Sequence, residues 1–385
     1  MYESRAAALA VSLLLAGAAA PVFAQAASSS RPPSPAAVLG GPVAEVVEEA
    51  WDGPPVVGDY LTLAPALAPL PPGNRTHDVR IDVVARELEI APGVRYKAWT
   101  FGGTVPGPVL HVREGDRVRF TMKNRSAELV AIDEPAPDSS PFLRQVVEKS
   151  LQKGAPVAVP MPHGMDFHAG MVAPNDKWRP IQPGETIRFE WAANYPGVYL
   201  YHCSQAPVLQ HVAMGQYSVV VVSPREGYPS DAEVDHEFVI LQSEFYLVEN
   251  EEGGQVLDFA AAMAKRPSQV TFNGHTRAMI DAPLEASPGE RVRLYVHNVG
   301  PNDTSSFHVI GTILDRVYYE GNPLNELRGM QTVLLGASNG AVVEFVVPEE
   351  GDYPFVDHEF ADATRGAIGR IKVGRPRVGP DQEAH

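Results

Sequence analysis

The stretch TFGG (residues 100–103) followed by EGDRVRF (114–120) recurs as TFNG (271–274) followed by GERVRL (289–294). Further along, PGVY (196–199) leading to His202 is echoed by EGDY (350–353) leading to His358. A repeat of this kind within one chain reads as two copies of one structural unit. The 385 residues exceed what one core usually organises, so length agrees with two domains. Around the repeats lie short alternating segments such as 78–84 (DVRIDVV) and 117–123 (RVRFTMK), separated by Gly/Pro turns. Strands of that length and spacing predict β-sandwiches. Helical patterning is scarce, with 142–151 (FLRQVVEKSL) and 257–264 (LDFAAAMA) the better short-helix candidates.

Outside the repeats, residues 1–24 carry one Arg, an apolar run of Ala, Val and Leu, and then Val22-Phe23-Ala24. This reads as a signal peptide cut near Ala24. Residues 25–75 are rich in Pro, Ala and Ser and are expected to form a flexible leader rather than core. The first sandwich is then expected over 76–224, a linker over 225–235, where turn residues and charge break the pattern, the second sandwich over 236–375, and a tail over 376–385. No later apolar run reaches the roughly 18 to 20 residues of a membrane span. The expectation is an exported, soluble protein, periplasmic or otherwise outside the cytoplasm, with no membrane contact. A formal net charge of -16 argues against nucleic acid and anionic membrane surfaces, leaving small ligands or a basic protein as contacts.

The single cysteine, Cys203, lies in YHCSQAPVLQHVAMGQY (201–217). In an oxidising compartment one Cys cannot make an internal disulfide, which leaves an inert thiol, an intermolecular bridge or a metal ligand. If Cys203 ends a strand, His202 and Cys203 face opposite ways. Cys203 can instead be joined by His211 across a tight loop. A copper-thiolate site then needs a second imidazole and a weak axial ligand, and Met214 and Gln216 both lie just beyond His211. In MPHGMDFHAG (161–170), Asp166 and His168 share a face and His163 takes the other. Parity thus predicts two sites back to back: His163 with Cys203 and His211, and Asp166 and His168 with His202. The remaining histidines His77, His111, His236, His275, His297 and His385 are read as structural.

The set FGGTVPGP (101–108), MDFHAG (165–170), GVYLYHC (197–203), SSFHVIG (305–311) and VDH (356–358), in this order, resembles the copper-containing, nitric-oxide-forming nitrite reductases within the two-domain multicopper proteins. The resemblance covers about residues 76–373. It implies an all-β chain of two tandem Greek-key cupredoxin domains, a role in denitrification, and one type 1 and one type 2 copper per subunit. Type 1 copper would fall on His163, Cys203 and His211, and type 2 copper on His168, His202 and His358. In the family that last histidine comes from the neighbouring subunit of a homotrimer. Asp166 and His308 match the pair that bonds nitrite and supplies its protons. The electron would come from a small donor protein, a cytochrome c or a cupredoxin. Family members place an axial Met five residues after the loop histidine. Keeping Gly215 and Tyr217 in register puts Gln216 there, with Met214 as the alternative.

A two-domain laccase-like oxidase would need His-x-His pairs and a His-Cys-His triplet. Here Ser204 follows Cys203, Asp166 stands two before His168, and Glu359 follows His358, so those ligands are missing. The alternatives to a nitrite reductase are a copper electron-transfer or copper-binding protein, and a multicopper oxidase acting on another small substrate. A zinc-filled hydrolytic site would leave the cysteine site unexplained.

Overall fold

Residues 117–123 alternate charged and apolar side chains, and they form the strand Arg117–Lys123 with Val118, Phe120 and Met122 buried. It runs parallel to Thr76–Ile81 and antiparallel to Glu185–Ala192. The repeat partner does the same: Arg291–Asn298 runs parallel to His236–Phe245 and antiparallel to Gly340–Val346. In the facing sheets, Gly197–His202 pairs with Tyr217–Ser223, which runs parallel to Val109–Arg113. Its counterpart Gly351–Asp357 pairs with Ile368–Val373, which runs parallel to Leu284–Ala286. The chain is therefore an all-β protein in which the sequence repeat is a repeat of sandwich topology. The computed structural model describes residues 41–132 and 154–374. The expected signal peptide, the start of the expected leader, the expected helix over 142–151 and the 376–385 tail lie outside the described residues.

Three large apolar clusters, with a small fourth of Ala213, Tyr246, Ala261 and Ala262, hold the described chain together. Phe120, Phe167, Trp191 and Tyr201 fill the first sandwich, and Phe272, Phe307 and Phe355 the second. The third lies between them, where Val198, Leu200, Tyr217, Val219 and Val221 meet Val239, Leu241, Tyr295 and Val342. Strand Tyr217–Ser223 is buried on both faces, which is why its centre reads as an unbroken apolar run (VVVV, 219–222) rather than an alternation. The hairpin Val83–Ala91/Val94–Phe101 extends this layer and takes up Gln255–Leu257 from the second half of the chain. The helix expected at 257–264 is present as Phe259–Met263, capped by the Asp258 carboxylate, which accepts from the Ala261 amide.

The structure corrects two readings. Residues 78–84 are not one strand: pairing stops at Ile81 and a new strand begins at Val83 in another sheet. Asp82 is the cause, a fully buried carboxylate that accepts from Lys123 N–H and Arg80 while its carbonyl accepts from Gly102. Residues 45–62 are not a leader but carry the edge strands Glu45–Glu48, Val56–Val57 and Leu61–Thr62, paired to Glu185–Ala192, Thr76–Ile81 and Val109–Arg113. The stretch 225–235, expected as a linker, carries no strand, and its buried Ser230 hydroxyl donates to Glu344 at 2.6 Å.

Glu244, on strand His236–Phe245, is buried and accepts the amides of Asn302 and Asp303 at 2.6 and 3.1 Å. Burial, reinforced by the charge of Asp303, pushes its carboxyl up to about 7. The folded state therefore holds a proton that the unfolded chain releases near its ordinary value of 4.5. Stability from this group is full below that pH and is lost as pH rises toward 7, by about 3 kcal/mol. Glu244→Gln keeps the acceptor and removes the titration. Its melting temperature, compared with wild type at pH 5 and pH 8, should fall less across that interval; parallel falls would refute the assignment.

Candidate metal centres

Cys203 follows strand Gly197–His202 directly, and its amide donates to the Gln216 carbonyl at 3.2 Å, closing the loop between them. Within that loop the short helix Val208–Ala213 carries His211. Gly215 then turns the chain back at φ 113°, where a side chain would also meet Val105. His163 comes from an isolated bridge with Ile181, not from a strand shared with Asp166 and His168. It therefore reaches the expected face, but across a strand only two residues long, Asp166–Phe167, rather than by parity along one strand.

These elements bring three buried donor atoms together. Cys203 Sγ lies 3.3 Å from His211 Nδ1 and 3.9 Å from His163 Nδ1, and the two nitrogens are 3.2 Å apart. Such spacing suits ligands each about 2 Å from one shared ion. Hydrogen bonding alone satisfies it poorly, because a neutral imidazole has only one N–H to place. Gln216, fully buried, puts Oε1 at 3.1 Å from His211 Nδ1, whereas Met214 packs in the apolar layer. Burial, with the charge of His211, lowers His163 to about 3, and burial raises the Cys203 thiol to about 11. A bound cation would reverse the thiol's preference and hold it as thiolate. The donor set is sulfur and imidazole, which suits copper.

On the opposite face of the same strand, Asp166 pairs in register with His202. Asp166, His168 and His202 form a second cluster, with His168 Nε2 3.1 Å from His202 Nε2 and Asp166 Oδ2 3.8 Å from His202 Nε2. His202 Nδ1 donates to the Cys203 carbonyl at 2.9 Å, leaving Nε2 to face the cluster. Partial burial and His202 hold His168 down to about 4, and burial raises Asp166. Asp166 Oδ1 is buried with no hydrogen-bond partner among the described residues. His308 and His358 do not join this cluster within the chain. They stand as a pair in the second sandwich, ring centres 5.6 Å apart, with His308 Nδ1 donating to the Gln331 carbonyl.

The repeat relates these positions. Asp166 pairs with His202 as His308 pairs with Val356, so Asp166 and His308 occupy equivalent places in the two sandwiches. By the same register Cys203 corresponds to Asp357, whose buried carboxylate accepts from Gln242, Ser306 and Glu359. Only the first copy keeps a thiol. Of the histidines read as structural, His77 bonds Asp116, His111 bonds Ala68 and Ser223, and His236 bonds Glu290. Sequence reasoning missed Trp99, whose ring meets both His211 and His163 edge to face, and Ser338, whose hydroxyl lies 3.0 Å from His168 Nδ1. Neither belongs to a spacing pattern that could have marked it.

Family models described as multicopper oxidase match residues 82–134 and 173–226. A copper-containing nitrite reductase of Neisseria meningitidis is 38% identical over 327 residues, covering 83% of this chain and 75% of that protein. Among solved structures, the copper nitrite reductase of Nitrosomonas europaea aligns with a TM-score of 0.62 at 35% identity, covering 79% of this chain and 95% of that one. The copper-containing nitrite reductase of Thermus scotoductus aligns with a TM-score of 0.63 at 31% identity, over 80% of this chain and 64% of that one. With a cysteine–histidine cluster and a histidine–aspartate cluster meeting at the end of one strand, the chain belongs to the copper-containing nitrite reductases.

Proposed function

We propose that the chain reduces nitrite by one electron and two protons to nitric oxide and water, at a type 2 centre held by His168, His202 and the His358 of a second copy. The electron would arrive through a type 1 centre held by His163, Cys203, His211 and an axial Gln216. The observation that carries this reading is the single peptide bond between Cys203 and His202, which joins one donor of each cluster. Copper, bound in both clusters, supplies one-electron transfer and an open position for an anion.

The chain's own groups support the remaining roles. Asp166 presents an unpartnered buried oxygen beside His202. His308 commits its Nδ1 proton to Gln331, and its Nε2 makes no hydrogen bond among the described residues. We assign both as proton donors. His308 and His358 lie outside the Asp166–His168–His202 cluster, so the proposed centre calls for a second copy, and Ile310, Leu334 and Phe360 are exposed apolar side chains close to them in sequence or strand pairing. These support a homotrimer. The net charge of -16 supports a small basic donor, a cytochrome c or a cupredoxin. Export through residues 1–24 is part of the same proposal; among the described residues no helix is long and apolar enough to cross a membrane.

The test is nitric oxide release, by electrode, from copper-loaded protein given nitrite and a reduced dye. Wild type should release nitric oxide, and His168→Ala should release none while keeping its copper-thiolate absorption band. Silence from wild-type protein that shows the band would overturn the reductase reading in favour of an electron carrier.

A further inference from the structure

His168 and His202 face one another through Nε2, so each ring must satisfy its Nδ1 elsewhere. His202 uses a backbone carbonyl, that of Cys203. His168 uses a side chain from the other sandwich, the hydroxyl of Ser338 at 3.0 Å. Ser338 sits in the turn that precedes strand Gly340–Val346, with φ at 67°. That left-handed region favours glycine and strains a serine. Among the described residues the Ser338 hydroxyl makes no other hydrogen bond, so the turn itself gives no reason for a serine there.

The turn is held firmly. Ser338 N–H donates to the Asn298 carbonyl at 3.0 Å, and Asn298 N–H donates to the Asn339 carbonyl at 2.9 Å. The buried Asn298 amide donates to the carbonyls of Asp303 at 2.7 Å and Gly336 at 3.2 Å. The Asn339 side chain accepts from Gly336 N–H at 3.2 Å. A strained residue kept in a braced turn, with its one polar atom on a ligand's outer nitrogen, has a function in that contact.

We infer that Ser338 is a positioning residue for the type 2 centre. Its hydroxyl accepts the Nδ1 proton of His168, which fixes the tautomer that leaves the Nε2 lone pair for the metal and sets the ring's tilt. It also ties a ligand of the first sandwich to the second. The inference rests on the proposed three-histidine centre.

Ser338→Gly separates the hydroxyl from the turn, because glycine suits the backbone better and only the hydrogen bond is lost. The full copper-loaded chain would be titrated with a copper chelator and its electron paramagnetic resonance spectrum recorded, beside Ser338→Ala. Both variants should bind type 2 copper about tenfold more weakly. Their type 2 hyperfine splitting should shift, with the copper-thiolate band unchanged and the copper-free melting temperature of Ser338→Gly not lowered. Wild-type affinity and an unshifted spectrum in both variants would overturn the inference. So would a loss of affinity matched by lower stability of copper-free Ser338→Gly, since the turn would then be the cause. Wild-type protein that takes copper only at the thiolate centre would overturn the three-histidine reading and this inference with it.

Discussion

Cys203→Ser is expected to lose the copper-thiolate absorption band entirely and to bring dye-driven nitrite reduction down to background. The substitution keeps the shape of a fully buried side chain and removes only its capacity to be an anion. Burial already pushes the thiol up to about 11, so it is the cation that must hold the thiolate. A serine hydroxyl titrates far higher and remains neutral beside the same cation. The donor set falls to two imidazoles and Gln216, too weak and too hard for a one-electron carrier of the copper-thiolate kind. The type 2 spectrum should persist, because His202 keeps its bond to the carbonyl of residue 203, a backbone group. A variant that still turns over at the wild-type rate would mean that electrons reach nitrite without passing Cys203.

Asp166→Asn should lower the turnover number by about 10²–10⁴-fold, the usual worth of a positioned proton donor. Asparagine fills the same volume next to His202 and keeps a polar group where Oδ1 is otherwise unpartnered. It cannot deliver a proton. Copper content and the type 2 spectrum should therefore be close to wild type, and the nitrite KM should change much less than kcat. Steady-state rates together with metal analysis decide the matter. An unchanged kcat would remove Asp166 from the chemistry and leave it as a group that merely orients His202.

Much of this was legible because the signals were periodic or repeated. The two copies of the (E)G(D/E)RVR segment became the two central strands, with the same parallel and antiparallel neighbours. His202 and Cys203, adjacent in the chain, fall into two separate groups of donor side chains. What escaped depended on partners distant in sequence. Nothing local marks Val46 as an edge-strand residue; its partner Ile187 lies far along the chain, and the prolines around residues 54–72 look like a leader. Asp82 breaks a strand through its burial against Arg80 and Lys123, which the alternation of its neighbours conceals. His163 reached its place by a bridge to Ile181 that no spacing announces. Ser338 and Trp99 are single residues of common type, visible as parts of the site only once the rings they touch are in place.

The apolar layer between the sandwiches bears on whether either half can stand alone. Val219 and Val221 on one side, and Val239, Leu241 and Val342 on the other, are all fully buried, and the Tyr217 hydroxyl crosses to Ser243 at 2.7 Å. Either half expressed alone would present that whole layer to water, a patch large enough to drive association. Each half therefore serves as the other's cover, and a cut between them would uncover both faces of the layer at once.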